Sequence, residues 1–245
     1  MAAAVVFLFI THIFIFKISH IHAFSYEMED TMKFKRKFAL ILATAFVLLA
    51  VRPVDTFAAT NNTSYGVVVL GDSRTEYLNY YATKLPNEFF VYGYGMGYDW
   101  MMIIGIPQVQ QIIAAHPEYT RWKIVNFMGY NDASRVNEYL AAYQNLNATT
   151  FAGYETYYLS LTSCQDQLLY DSNLRNGIAP ENMHNTWNAS VIAYNQLLYA
   201  TFPTKYIDAY NPMLAAGFIP EDGVHYNSAA ANNYLMNIIR AGIGN

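Results

Sequence analysis

One cysteine, Cys164, occurs in 245 residues, so no disulfide can close within the chain whatever the redox state around it. Stability must come from packing. A cysteine nucleophile is also poorly served, because Ser163 and Gln165 supply neither cation nor imidazole to activate Cys164, and a structural role is expected. Charge is scarce, at 13% of residues against 54% hydrophobic ones, with a net −4. Six cations and four anions in residues 1–58 leave that segment at +2 and the rest of the chain at −6. An acidic body without a basic stripe offers no footprint for a phosphate backbone, which excludes nucleic acid as an expected partner. Histidine is rare as well. Beyond Ala58 only His116, His184 and His225 occur, and they do not cluster with carboxylates at ligand spacing, so no metal is expected. Internal repeats and low-complexity blocks are absent, and the length suits one substantial core.

What is present begins with an apolar amino terminus. Lys33, Lys35, Arg36 and Lys37 precede an apolar run from Phe38 to Val51, followed by Thr56-Phe57-Ala58. This has the layout of a secretory signal peptide, with Met32 as the expected start and cleavage expected after Ala58. An earlier apolar stretch, Ala4 to Phe16, is broken by Thr11 and His12 and is short for a bilayer span. Residues 1–58 are therefore expected to be a leader and 59–245 a single domain, extracytoplasmic in location. An uncleaved leader acting as a membrane anchor is the alternative. Glycosylation sequons stand at Asn61, Asn62, Asn147 and Asn188.

Within the domain, Gly66-Val67-Val68-Val69-Leu70 reads as a buried strand by its length and β-branching. Further strands are expected at Phe89 to Tyr94, Lys123 to Met128, Thr156 to Leu161 and Tyr206 to Tyr210. Helical patterns fall at Thr75 to Lys84, Trp100 to Ala115, Val136 to Leu146, Thr186 to Ala200 and Ser228 to Arg240. The last repeats Ala231, Tyr234, Leu235, Ile238 and Ile239 at helical spacing, with Asn227 or Ser228 as cap and Gly242 as stop. Thr162 to Asn185, irregular and polar, is expected to be a substrate-facing loop. Alternating strands and helices with continuous apolar strands predict an α/β fold, a parallel sheet covered on both faces. Ligands in such sheets sit beyond the strands' carboxyl ends.

Four short strings fall at those ends in fixed order: Gly71-Asp72-Ser73, the glycines around Gly97, Gly129-Tyr130-Asn131-Asp132, and Asp222-Gly223-Val224-His225. Ser73 is a candidate nucleophile at a strand-to-helix turn, although a serine there could also simply cap the helix. His225 is a candidate general base. Asp222, three residues earlier, can be presented by the same tight turn to orient the imidazole and stabilise its charged form. His116-Pro117 and His184, without such a partner, read as surface histidines.

Each string alone is weak, but their order and joint occurrence resemble the SGNH hydrolase superfamily, the GDSL esterases and lipases. The resemblance covers about Gly66 to Asn245. It implies a flavodoxin-like three-layer α/β/α sandwich with about five parallel strands, and acyl-ester hydrolysis without metal or cofactor. It also implies that the Asn131 side-chain amide, the Ser73 backbone N–H and a second-block glycine N–H form an oxyanion hole. Gly97 is the expected glycine, with Gly95 as the alternative. The chain departs from the family at Arg74, where the namesake motif has leucine. Two roles are open for it: an ion pair to Asp99 or Glu76, or recognition of an anionic or polyhydroxylated group beside the ester. Tyr98, Trp100 and Tyr130 border the expected oxyanion site as either a sugar-stacking platform or a pocket wall. The first functional reading is a secreted serine esterase removing acetyl or another short acyl group from a carbohydrate or cell-wall polymer. A lipase or lysophospholipase on the same machinery is the second. An SGNH-like binding module without catalysis is the third, disfavoured by the joint presence of Ser73, Asn131, Asp222 and His225.

Overall fold

Three consecutive valines and a leucine make the centre of β1 (Tyr65–Gly71), whose residues 66–71 are all buried. In the computed structural model, which describes residues 65–183 and 186–244, β1 pairs in parallel with β2 (Glu88–Tyr92) on one side and β3 (Arg121–Phe127) on the other. Strands β4 (Glu155–Leu159) and β5 (Tyr206–Ile207) extend the sheet, giving the order β2-β1-β3-β4-β5. That is the flavodoxin-like order, with a switch point between β1 and β3. The leader expected over residues 1–58 with its cut after Ala58, the sequons Asn61 and Asn62, and His184 lie outside the described residues.

Successive side chains of each strand go to opposite faces, so the core divides into two layers. On one face Val68, Leu70, Ile124 and Tyr158 meet α2 (Ile106–Ala115), α3 (Val136–Ala148) and α5 (Asn188–Thr201). On the other, Val67, Val69, Phe127 and Leu159 meet α1 (Ser73–Tyr81), α6 (Tyr210–Ala215) and α7 (Ala229–Gly242). The three-layer α/β/α sandwich follows. Helix α7 starts where expected, with Ser228 Oγ accepting from Ala231 N.

Three expectations need correction. The stretch Trp100 to Ala115 is not one regular helix: a turn at Tyr98–Trp100 and a π-helical turn at Met101–Gly105 lead into α2. Pro107 has no N–H to give to the carbonyl four residues back, so the regular ladder cannot run through it. Thr162 to Asn185 is not all loop, for it contains α4 (Asp166–Arg175) and a 3-10 turn at Pro180–Asn182. Only Leu169 of α4 is buried, too little to leave an apolar period in a polar segment. Finally, β5 stops at Ile207 rather than Tyr210. Ser160 Oγ accepts from both Ala209 N and Tyr210 N and turns the chain into α6.

Candidate active site

The switch point places the ends of β1 and β3 side by side, and the four strings converge above them. Ser73 is the first residue of α1. Asp72 caps that helix, its Oδ1 accepting from Arg74 N at 3.0 Å, so capping does not account for Ser73. The Ser73 backbone N–H lies at the helix amino terminus, where amides lack intrahelical partners and negative charge is favoured. Its side chain meets His225, with Oγ 2.7 Å from Nε2.

On the far side of the ring, His225 Nδ1 lies 2.6 Å from Asp222 Oδ2. The other carboxylate oxygen, Oδ1, accepts from Val224 N and His225 N at 2.9 and 2.7 Å, which closes the turn. Gly223 makes that turn possible, with a φ of 97° in the left-handed region. Burial pushes the Asp222 carboxyl up, but hydrogen bonds from the His225 ring and from the two backbone N–H groups outweigh it and bring it down to about 2. An ionised carboxylate only accepts, so Nδ1 carries the ring proton and Nε2 offers its lone pair to the Ser73 hydroxyl. This is the tautomer that can remove a serine proton.

Asn131 follows β3 and reaches the second glycine string. Its Nδ2 donates to Met96 O at 2.8 Å, which leaves the second N–H of the amide for a ligand. Asp132 fixes the same loop, Oδ2 accepting from Tyr98 N at 2.8 Å and Oδ1 from Tyr139 Oη at 2.6 Å. A side chain at Gly97 would collide with that carboxylate, so only glycine lets Asp132 approach. Gly95 occupies the turn itself, with a φ of 68° and open space around it. Gly95, Gly97, Tyr98, Trp100 and Asn131 line a cleft of about 260 Å³.

The expectations for substrate-binding residues change. Arg74 pairs with neither Asp99 nor Glu76, because its Nε and Nη2 donate to Asp72 at 3.1 and 2.8 Å. Its guanidinium lies between the rings of Phe127 and Tyr130, 4.5 and 4.7 Å from their centroids, and its side chain is 3% exposed. A cation so enclosed does not meet a substrate; it neutralises Asp72 beneath Ser73. Asp99 instead pairs with Arg135. Tyr130 is buried, its hydroxyl donating to Thr186 O, and so offers no sugar platform. Tyr98 packs edge-on against Tyr139 under the Arg135 guanidinium. Trp100 fills the space that side chains at Gly93 and Gly105 would take. Both belong to the cleft wall.

Two aromatic neighbours of His225 were not singled out from the sequence. Tyr77 stacks on the imidazole with centroids 4.4 Å apart and planes 13° from parallel, and Tyr94 lies 6.0 Å away at 21°. Tyr77 stands four residues after Ser73, on the same helix face, which is the signal that could have found it. Elsewhere, His116 pairs with Glu118 at 2.8 Å, and Cys164 is buried, its thiol pushed up to about 12 mainly by burial. The side chains of the sequon residues Asn147 and Asn188 are held by internal hydrogen bonds to Tyr158 and Tyr210. Among the described residues no group of three or more His, Cys, Asp or Glu could hold a metal ion.

The strand order and the gathering of the four strings at one rim give the chain an SGNH-hydrolase-like fold. No protein-family model and no curated protein matches it. Among solved structures it is similar to the C-terminal catalytic domain of the Streptococcus pneumoniae peptidoglycan O-acetyltransferase A with a methylsulfonyl adduct. Identity is 13% and the TM-score 0.48, over 73% of this chain and 92% of that one. It is also similar to a member of the lipolytic protein G-D-S-L family from Veillonella parvula, at 15% identity and a TM-score of 0.49, over 72% and 97% of the two chains.

Proposed function

We propose that the protein is a secreted serine esterase that removes short acyl groups, acetyl foremost, from a carbohydrate or cell-wall polymer. The observation that carries this reading is the continuous relay from Asp222 through His225 to Ser73, at 2.6 and 2.7 Å. In the reaction, Ser73 Oγ attacks the ester carbonyl carbon while its proton passes to His225 Nε2. The carbonyl oxygen becomes an oxyanion, held by the Asn131 amide and the backbone N–H groups of Ser73 and Gly97, with Gly95 as the alternative. Collapse breaks the bond to the alcohol oxygen, which leaves with the electron pair and takes the proton from Nε2. Water, deprotonated by His225, then attacks the acyl-serine and releases the carboxylic acid, restoring Ser73. Asp222 remains ionised throughout, keeping Nδ1 protonated and stabilising the imidazolium.

Export rests on the signal-like segment ahead of the domain. Among the described residues no helix is long and apolar enough to cross a membrane. The test is hydrolysis of p-nitrophenyl acetate by the full chain and by Ser73→Ala. The wild-type protein is expected to release nitrophenol and the variant to lose about 10³-fold or more in kcat. Equal release by the two would overturn the assignment.

A further inference from the structure

The proton that His225 returns goes to the leaving alcohol, so that alcohol must come within hydrogen-bond reach of Nε2. Whatever borders the imidazole therefore borders the alcohol half of the ester. The carbonyl oxygen falls toward the Asn131 amide. Two tyrosines stand by the imidazole, and a third stands by one of them. Tyr77 covers one face at 4.4 Å, Tyr94 lies 6.0 Å off in a near-parallel plane, and Tyr81 lies 5.8 Å from Tyr77. Tyr77 is engaged in its stack, whereas Tyr94 is 65% exposed and Tyr81 41%. Tyr94 thus presents a largely open aromatic face near the imidazole, and a ligand covering it would bury apolar surface.

The charges nearby restrict that ligand. Asp222 is ionised, and burial together with Asp222, Tyr94 and Tyr81 pushes the Tyr77 phenol up. Glu76, one turn from Ser73 on the same helix, has Oε2 enclosed without a hydrogen-bond partner among the described residues. The one cation close to Ser73 in sequence, Arg74, is spent on Asp72 below. A phosphate or carboxylate on the alcohol would thus meet the like charge of Asp222. A sugar ring suits these surroundings: its C–H bonds pack on the negative faces of aromatic rings and its hydroxyls donate to acceptors.

We propose that Tyr94, with Tyr77 and Tyr81 beside it, forms the subsite for the alcohol half of the ester, and that this half is an uncharged sugar ring. This rests on the esterase reading above and relocates its sugar platform from Tyr98, Trp100 and Tyr130 to the imidazole side. The experiment compares glucose pentaacetate with ethyl acetate, which lacks a ring to stack, by following released acetate. Tyr94→Ala is expected to lower the ratio of kcat/KM for the sugar ester to that for ethyl acetate by about tenfold, chiefly through KM. Tyr94→Phe should keep the ratio. In a Ser73→Ala background, which binds without turnover, Tyr94→Ala should weaken glucose pentaacetate binding, read by ligand-observed NMR, by a similar factor. A wild-type enzyme that cleaves both esters, with an unchanged ratio in Tyr94→Ala, overturns the subsite and leaves the esterase reading standing. A protein that cleaves neither ester overturns both.

Discussion

Asp222 has two oxygens with separate tasks, and one substitution can tell them apart. Its Oδ1 takes the backbone N–H groups of Val224 and His225, while Oδ2 faces the ring nitrogen. In Asp222→Asn the amide oxygen would stay on the backbone and the NH2 would face Nδ1. That geometry preserves the turn but reverses the tautomer, since Nδ1 must then accept and Nε2 must carry the proton. The expected result is a fall of about 10³–10⁴-fold in kcat with nearly unchanged folding, measured by p-nitrophenyl acetate kinetics and circular dichroism. The same residue carries a pH signature. Its folded pKa of about 2 lies below the ordinary 3.8, so the ionised group stabilises the fold above about pH 4 and loses that contribution as pH falls toward 2. Asparagine does not titrate. The gap in urea midpoint between wild type and Asp222→Asn should therefore narrow from pH 4 to pH 2. It should be small throughout, because the side chain is 45% exposed and water screens the pair. A constant gap would show that the carboxylate's charge contributes nothing to stability.

Between elements, Arg74 is the residue that joins the nucleophile turn to the strand beside it. It clasps the Asp72 cap of α1 and lies between Phe127 at the end of β3 and Tyr130 next to Asn131. Arg74→Leu would leave Asp72 buried without its cation and is expected to cost about 3–5 kcal/mol, read from denaturant midpoints. Adding Asp72→Asn should recover much of this, because asparagine still caps the helix and carries no charge. If the double variant is no more stable than Arg74→Leu, the lost packing between the rings outweighs the lost pairing. This pairing also marks where sequence reading stops. A buried strand with a run of valines, or α7 with its serine cap, is legible because pattern and burial share one period. The serine, the histidine and its carboxylate were legible because their chemistry needs those types at those spacings. The Arg74 clasp was not, since only the fold brings Phe127 and Tyr130 around a side chain that in isolation looks solvent-bound. The π-helical turn before Pro107 and the single buried Leu169 of α4 left no period to read. Tyr94 lay hidden among many tyrosines until the imidazole gave it a neighbour.

Across the domain, the space at the strand ends bears on the size of acyl group that the proposed esterase would serve. The glycine string and the loop after β3 leave a cleft of about 260 Å³ beside Asn131, short of the roughly 300–1,000 Å³ of sites that enclose drug-sized ligands, and neither Ser73 nor His225 lines it. A larger groove of about 630 Å³ runs between α5, β5 and α6, lined by Ile192, Tyr199, Tyr206 and Tyr210 among others, but it shares no lining residue with that cleft. The smaller cleft suits an acetyl group better than a long acyl chain. Each further methylene is worth about 0.8 kcal/mol only if the protein buries it, and the larger groove, lined by other residues, does not extend the cleft. With p-nitrophenyl esters from acetate to palmitate, kcat/KM is therefore expected to peak at two to four carbons and fall at least tenfold by octanoate. A lipase or lysophospholipase would give the opposite slope, with kcat/KM rising as the chain lengthens and burial accumulates. That slope would place the acyl chain along a path outside the Asn131 cleft and would overturn the short-acyl preference, while leaving the Ser73–His225–Asp222 relay as the source of the chemistry.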